Sequence, residues 1–131
     1  MISSNAFDYI NVLGKAADAS WIRNDLIANN IANYDTPGYK RQDVDFEDAL
    51  KQAIQSAGGT NMDTKVANLR KGSLDVSPYT DYGDYSYRLD ENNVDVDTEN
   101  VELASEQIRY EALAGNCINS EFQRLASALG K

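Results

Sequence analysis

From Val101 to Leu129 the chain carries one stripe of residues in alternating steps of three and four: Val101, Ala104, Ile108, Glu111, Gly115, Ile118, Phe122, Leu125 and Leu129. Only an α-helix brings such a series to a single face, and four heptads reach the length at which a coiled-coil reading becomes reasonable. A helix is therefore expected from about Glu99 to Leu129. Its N-cap is expected at Asp97 or Thr98, with Glu99 and Glu102 complementing the dipole in the first turn. Glu111 and Gly115 interrupt the stripe. A glycine inside a helix costs about 1 kcal/mol against alanine, so Gly115 marks either a bend or the close approach of a neighbouring helix.

The other end shows a matching pattern. Ala6, Ile10, Leu13, Ala17, Ser20, Asn24, Ile27, Ile31 and Tyr34 fall on the same template. A helix over about Ser4–Tyr34 would be roughly 45 Å long. Ser20 and Asn24 place polar groups mid-seam, where they can select register and partner. Val12, Trp21, Ile22 and Leu26 lie off the seam, so this helix has apolar groups on more than one side. It then stops hard. Thr36 precedes proline and is pushed out of the helical region. Pro37-Gly38 suits the centre of a type II turn. Lys40 and Arg41 follow near the negative end of the helix dipole.

Between the ends the chain is mixed. Asp43-Val44-Asp45-Phe46 reads as a short extended piece. Phe46 to Ile54 reads as a short helix with Phe46, Leu50 and Ile54 on one face, broken at Gly58-Gly59. Residues 60–84 read as loops. Short strands are expected at Tyr85–Leu89 and near Leu74–Val76, and Asn92-Asn93 is a turn signal. The chain thus divides into an N-terminal helix (1–36), a middle region (37–97) and a C-terminal helix (98–131). The fold expected is mainly α: two long terminal helices paired as a coiled-coil-like hairpin around a small irregular or β middle. One seam on each helix leaves Trp21, Ile22 and Leu26 uncovered, and a polar middle is a poor lid. Burial between subunits is the expected remedy, and a head-to-tail contact that does not close on itself makes a tube or filament.

Composition excludes several functions. The 131 residues include 21 acidic against 12 basic side chains, for a net charge of −9. That disfavours nucleic acid, which needs a basic surface. The absence of histidine removes the commonest general base and metal ligand. The single cysteine, Cys117, allows no internal disulfide and has no basic partner to activate it. The series Asn93, Asp95, Asp97, Glu99 imitates a calcium loop but has Thr98 where an EF-hand requires glycine. No apolar run approaches the ~20 residues of a membrane span, and the first residues lack the features of a cleavable signal peptide. Tyr79, Tyr82, Tyr85 and Tyr87 suit a protein contact or simple packing. Asp45, Glu47 and Asp84 are the carboxylates from which a glycan hydrolase would have to be built, and they are better read as ordinary acids of an acid-rich chain. No catalytic residue, cofactor site or metal site is expected.

The run Ala28–Arg41 closely resembles the N-terminal signature of flagellar basal-body rod proteins, carried here by Asn29, Asn30, Ile31, Ala32, Asn33, Thr36, Pro37, Gly38 and Tyr39. Its place about thirty residues from the start, at the end of a first helix, is similar too. Asp43–Phe46 resembles the motif just after it. Asn93–Glu99, with Tyr110 further along, looks like the C-terminal signature of that family. The resemblance covers roughly 1–46 and 92–131, and 58–90 carries little of it.

The resemblance implies a structural, non-enzymatic subunit of the rod, the shaft that passes torque from motor to hook. A length near 130 with a small middle is more similar to proximal than to distal rod proteins. Implied partners are further copies of itself, other rod proteins (FlgC and the distal rod), the FliE adaptor and the MS-ring. Implied too are export through the flagellar type III apparatus without a cleavable signal and a final place in the basal body. The expected assembly seam is Ile10, Leu13, Ile27 and Ile31 on the first helix and Val101, Ile108, Ile118, Phe122, Leu125 and Leu129 on the last. The competing reading is a cytoplasmic helical adaptor that binds one partner through the C-terminal stripe.

Overall fold

The computed structural model describes residues 5–69, 74–82 and 89–130, with side chains in the first helix described from Asp8. Helix α1 spans Asn5–Ala32. After it come strand β1 (Gln42–Asp43), α2 (Phe46–Ser56), α3 (Met62–Ala67), strand β2 (Tyr79–Thr80) and α4 (Val96–Glu111). A π-helical turn at Ala112–Cys117 joins α4 to α5 (Ile118–Leu129). The chain is mainly α-helical, with long helical segments at both ends and a small strand-containing middle.

The ends pair antiparallel, as the hairpin reading expects. Asn30 meets Glu99, Arg23 meets Glu102 and Glu106, and Trp21 stacks near Tyr110, so numbers rise on one helix as they fall on the other. The face that α4 turns inward is not the apolar stripe. Its buried residues are Glu99 and Glu106, while Val101 and Ile108 are each 69% exposed. The reason lies across the interface. Arg23 and Arg41 face α4, and a guanidinium can be buried only against an acceptor with charge to match.

The apolar core lies on another side of α1. Ala19, Leu26 and Val44 form it, with Ile22, Phe46 and Val76 packed against it. The middle region therefore covers Leu26 and Ile22 but not Trp21, which stays more than half exposed. Residues 44–46 and 76 can do this because β1 and β2 pair antiparallel, Gln42 with Thr80 and Asp43 with Tyr79.

Local structure follows local chemistry in most places. Asp45 caps α2 by accepting from Asp48 N at 3.0 Å, and Ala53 is buried between the partly buried Leu50 and Ile54. Four expectations need correction. Helix α3 lies where a loop was expected; Asn61 caps it, accepting from Thr64 N at 2.9 Å, and Val66 anchors it. The middle strand is at Tyr79–Thr80 rather than Leu74–Val76, because pairing with β1 decides the register. The cap of α4 is Asp95, whose carboxylate accepts from Asp97 N and Thr98 N, rather than Asp97 or Thr98. The C-terminal helix is not uniformly α, since Ile118 N–H donates to Leu113 O, five residues back. The strand expected over Tyr85–Leu89 lies outside the described residues apart from Leu89, which is fully exposed.

The π-turn resolves the question at Gly115. Nothing lies within 4 Å of the Cβ position there, so no helix approaches closely. An i→i+5 turn inserts one residue without its share of rotation, which re-aims the following face by about 100°. The stripe therefore changes sides. It faces out at Val101 and Ile108; beyond the turn Ile118 is partly buried and Leu125 buried, while Phe122 and Leu129 stay about half exposed.

Candidate functional site

The signature segment at the end of α1 folds into a turn that the start of α4 holds. Asn33 N–H and Asn33 Nδ2 both donate to Asn29 O, at 3.0 and 2.8 Å, and Thr36 Oγ1 donates to Asn33 Oδ1 at 3.1 Å. Tyr39 N–H then closes a turn on Thr36 O at 3.2 Å, with Pro37 and Gly38 at its centre. Gly38 has φ +73°, the left-handed value that a type II turn requires at this position. A helix end leaves carbonyls without intrahelical partners. Asn92 gathers the carbonyls of the turn just beyond that end. Its Nδ2 donates to Asn33 O, Tyr34 O and Thr36 O at 2.8–3.0 Å, two hydrogens shared among three acceptors. Its Oδ1 accepts from Val94 N at 2.8 Å. Gly38 N–H donates to Asp90 O at 2.6 Å, which ties the turn to the same segment.

Asn30 is completely buried and serves as the hub of the junction. Its Nδ2 donates to Gln42 O at 2.8 Å and Glu99 Oε2 at 3.2 Å. Its Oδ1 accepts from Gln42 N at 2.9 Å and Tyr39 OH at 3.2 Å. Only a primary amide offers two donors and an acceptor in so small a volume. Asn93 plays a similar part, accepting from Arg41 N at 2.7 Å and donating to Asp81 O at 2.7 Å.

Two arginines complete the site. Arg23 donates to Asp43 at 2.9 Å, Glu106 at 2.7 Å and Glu102 at 2.8 Å. Arg41 donates to Glu99 at 2.6 Å, Asp81 at 3.1 Å and Asp43 at 3.2 Å. So Arg41 is spent on buried carboxylates, not on the end of α1, whose last turn holds no basic residue. Lys40 also reaches elsewhere, to Glu91 O. Glu99, expected in the first turn as a complement to the helix dipole, is 1% exposed. Burial by itself would raise the pKa of Asp43. The hydrogen bonds from Arg23 and Val44 N–H and the nearby guanidinium charges outweigh it and hold the carboxyl below its ordinary 3.8. Burial works against the charged arginines as well, yet their carboxylate partners drive both pKa values further up. The Tyr39 phenol is pushed up by burial and by the charge of Glu99. Three buried carboxylates, Asp43, Glu99 and Glu106, are thus each engaged by a guanidinium. The arrangement is a polar weld between the two signature segments.

The positions expected to form an assembly seam fall into two groups. Ile27 is fully buried and Leu125 is 8% exposed, so both are used within the chain. Val101, Ile108, Phe122 and Leu129 are half-exposed or more, and Ile10, Leu13, Ile31 and Ile118 are partly buried. Of the carboxylates considered for glycan hydrolysis, Asp45 caps α2 and Glu47 pairs with Arg109 at 2.8 Å, while Asp84 lies outside the described residues.

The family described as "Flagella basal body rod protein" matches residues 10–40, which run through most of α1 and the Pro-Gly turn. The flagellar basal body rod protein FlgB of Bacillus subtilis (strain 168) is 37% identical over 120 residues, covering 92% of this chain and 92% of the relative. The chain belongs to the FlgB family of flagellar basal-body rod proteins. FlgB of Borrelia hermsii is 36% identical over 110 residues, covering 77% of this chain and 81% of the relative. FlgB of Salmonella typhimurium (strain LT2) is 32% identical over 99 residues, covering 68% and 70%. As an FlgB-family protein the chain is a structural rod subunit. These relatives do not favour the one-partner adaptor.

The weld shows what holds this FlgB-family subunit together and which of its residues sequence reasoning missed. Asn30, Asn33, Thr36, Pro37, Gly38 and Tyr39 from the signature all take part in it. Asn29 contributes its carbonyl, Ala32 sits exposed at the helix end and Ile31 is partly buried. Arg23, Asp43, Asn92 and Glu106 were not singled out for it. A signal existed for one pair: Glu99 and Glu106 stand one heptad apart on the helix, and Arg23 lies on the helix opposite.

Proposed function

We propose that this rod subunit belongs to the proximal rod and assembles through its terminal helices into the torque-transmitting shaft. The observation that carries this reading is the exposed apolar stripe on a chain whose relatives are rod proteins. Val101 and Ile108 on α4, with Phe122 and Leu129 on α5, leave apolar surface that the single chain does not cover. Hydrophobic surface of this kind gains by burial against another copy. A head-to-tail contact between copies gives a helical tube. Neighbouring rod proteins such as FlgC and the distal rod, the FliE adaptor and the MS-ring are the further partners in this reading. Delivery through the flagellar type III apparatus is its route to the basal body. No helix among the described residues is long and apolar enough to cross a membrane, which fits a subunit held by protein contacts. The reading assigns no catalysis to the chain.

The test is a charge on the exposed or half-exposed face. Ile108→Glu or Phe122→Glu should stop swimming in soft agar while the amount of soluble subunit stays near the parental level. Normal swimming in either strain would remove these residues from the assembly surface.

A further inference from the structure

The buried positions of α4 are two glutamates rather than apolar residues, yet they hold one alignment. Glu99 and Glu106 lie seven residues apart, about 10.5 Å along the helix. Each meets its own arginine: Arg41 Nε donates to Glu99 Oε1 at 2.6 Å, and Arg23 Nη1 to Glu106 Oε2 at 2.7 Å. The arginines are tied together through Asp43, which accepts from Arg23 Nε at 2.9 Å and Arg41 Nη2 at 3.2 Å. Ser20 Oγ and Asn30 Nδ2 bind the same two glutamates, at 2.6 and 3.2 Å.

Every alternative alignment breaks this set. Sliding α4 by one turn in one direction brings Leu103 and Tyr110 to the guanidiniums. Sliding it the other way brings Asp95 to Arg41 and Glu102 to Arg23, which keeps an acid at each guanidinium but costs α4 its Asp95 cap. A slide of one heptad puts Glu106 at Arg41 and leaves Arg23 facing Leu113. A guanidinium turned to an apolar side chain keeps Asp43 but loses its α4 partner and part of its compensation for burial, whereas misaligned apolar residues only pack less well.

We infer that Arg23 and Arg41 are positioning residues that lock the register of α1 against α4. Charge pairing, more than apolar packing, then decides which turn of one helix faces which turn of the other. The lock also fixes where Val101 and Ile108 stand relative to α1. It is a property of the single chain and does not depend on the assembly reading.

The chain carries its own reporter. Trp21 is the sole tryptophan, and its ring centroid lies 5.6 Å from that of Tyr110 across the helix pair. In the isolated full chain, NMR should give one indole N–H cross-peak with a nuclear Overhauser contact to the Tyr110 ring. The double variant Arg23→Met with Glu106→Met replaces the central pair by unbranched apolar side chains. It is expected to keep its helical circular dichroism but to show two or more indole cross-peaks and a weakened contact to Tyr110. A folded variant with one cross-peak and the parental contact would overturn the lock. So would loss of the helical signal altogether, because the pair would then supply stability rather than choose an alignment.

Discussion

Asn30 shows how much one side chain can be asked to do. It satisfies both backbone polar groups of Gln42, the Tyr39 hydroxyl and part of Glu99. Asn30→Leu keeps a similar volume but leaves those partners buried without a match, and each such group costs about 1–3 kcal/mol. Some of them can recover water at the edge of the junction, so a loss of about 3 kcal/mol is expected, read as a lower midpoint in urea. Asp43 adds a pH dependence. Its pKa is lower folded than unfolded, so the stability it contributes is present above the ordinary value of 3.8 and is lost as pH falls below it. Urea midpoints of the parent should therefore fall between about pH 5 and about pH 2, and Asp43→Asn should flatten that slope. An equal slope in both proteins would show that Asp43 is not the group responsible.

The C-terminal helix illustrates a second level of control. Its heptad pattern is sound, yet the π-turn at Ala112–Cys117 divides it into two faces. Gly115 sits within that turn, and a methyl group there would meet no atom within 4 Å. Gly115→Ala should therefore gain up to about 1 kcal/mol of helix propensity without a clash. For a chain of this size that is a rise of about 4 °C in Tm. An unchanged or lower Tm would mean that the π-turn itself depends on glycine. Cys117 ends the same turn and is exposed, so Cys117→Ser should leave Tm and motility as they are.

Taken as a whole, the molecule is held most tightly where α1 meets the start of α4 and least tightly at its far end. Buried residues cluster from Ala17 to Asn30 and from Asn92 to Glu106, whereas Leu125 is the one buried side chain described in α5. Local opening follows such differences in burial. Amide hydrogen exchange on the isolated chain should be slowest at Leu26–Asn30 and Glu99–Glu106 and fastest across 118–129. Equal protection along α5 would mean that its outer face is already covered in the single chain. In the assembled state proposed above, protection of α5 should rise, because neighbouring copies would cover Phe122 and Leu129.

The sequence by itself determined the helical ends, the hard stop at Thr36-Pro37-Gly38 and the one-faced pattern of α2. These depend on backbone preferences and on spacing within one segment, which a single strand of residues carries in full. Family membership was legible for the same reason, since the signature is a contiguous run. Only the tertiary structure decided which face of α4 turns inward, that Glu99 and Glu106 are buried, and that Asn92 finishes α1. Each of these depends on a partner 50 or more residues away, such as Arg41 for Glu99, Arg23 for Glu106 and the Asn33 carbonyl for Asn92. A carboxylate reads as solvated until a guanidinium is known to face it. Charge pairing across the hairpin, a long-range term, here overrode the apolar stripe that local periodicity would have buried.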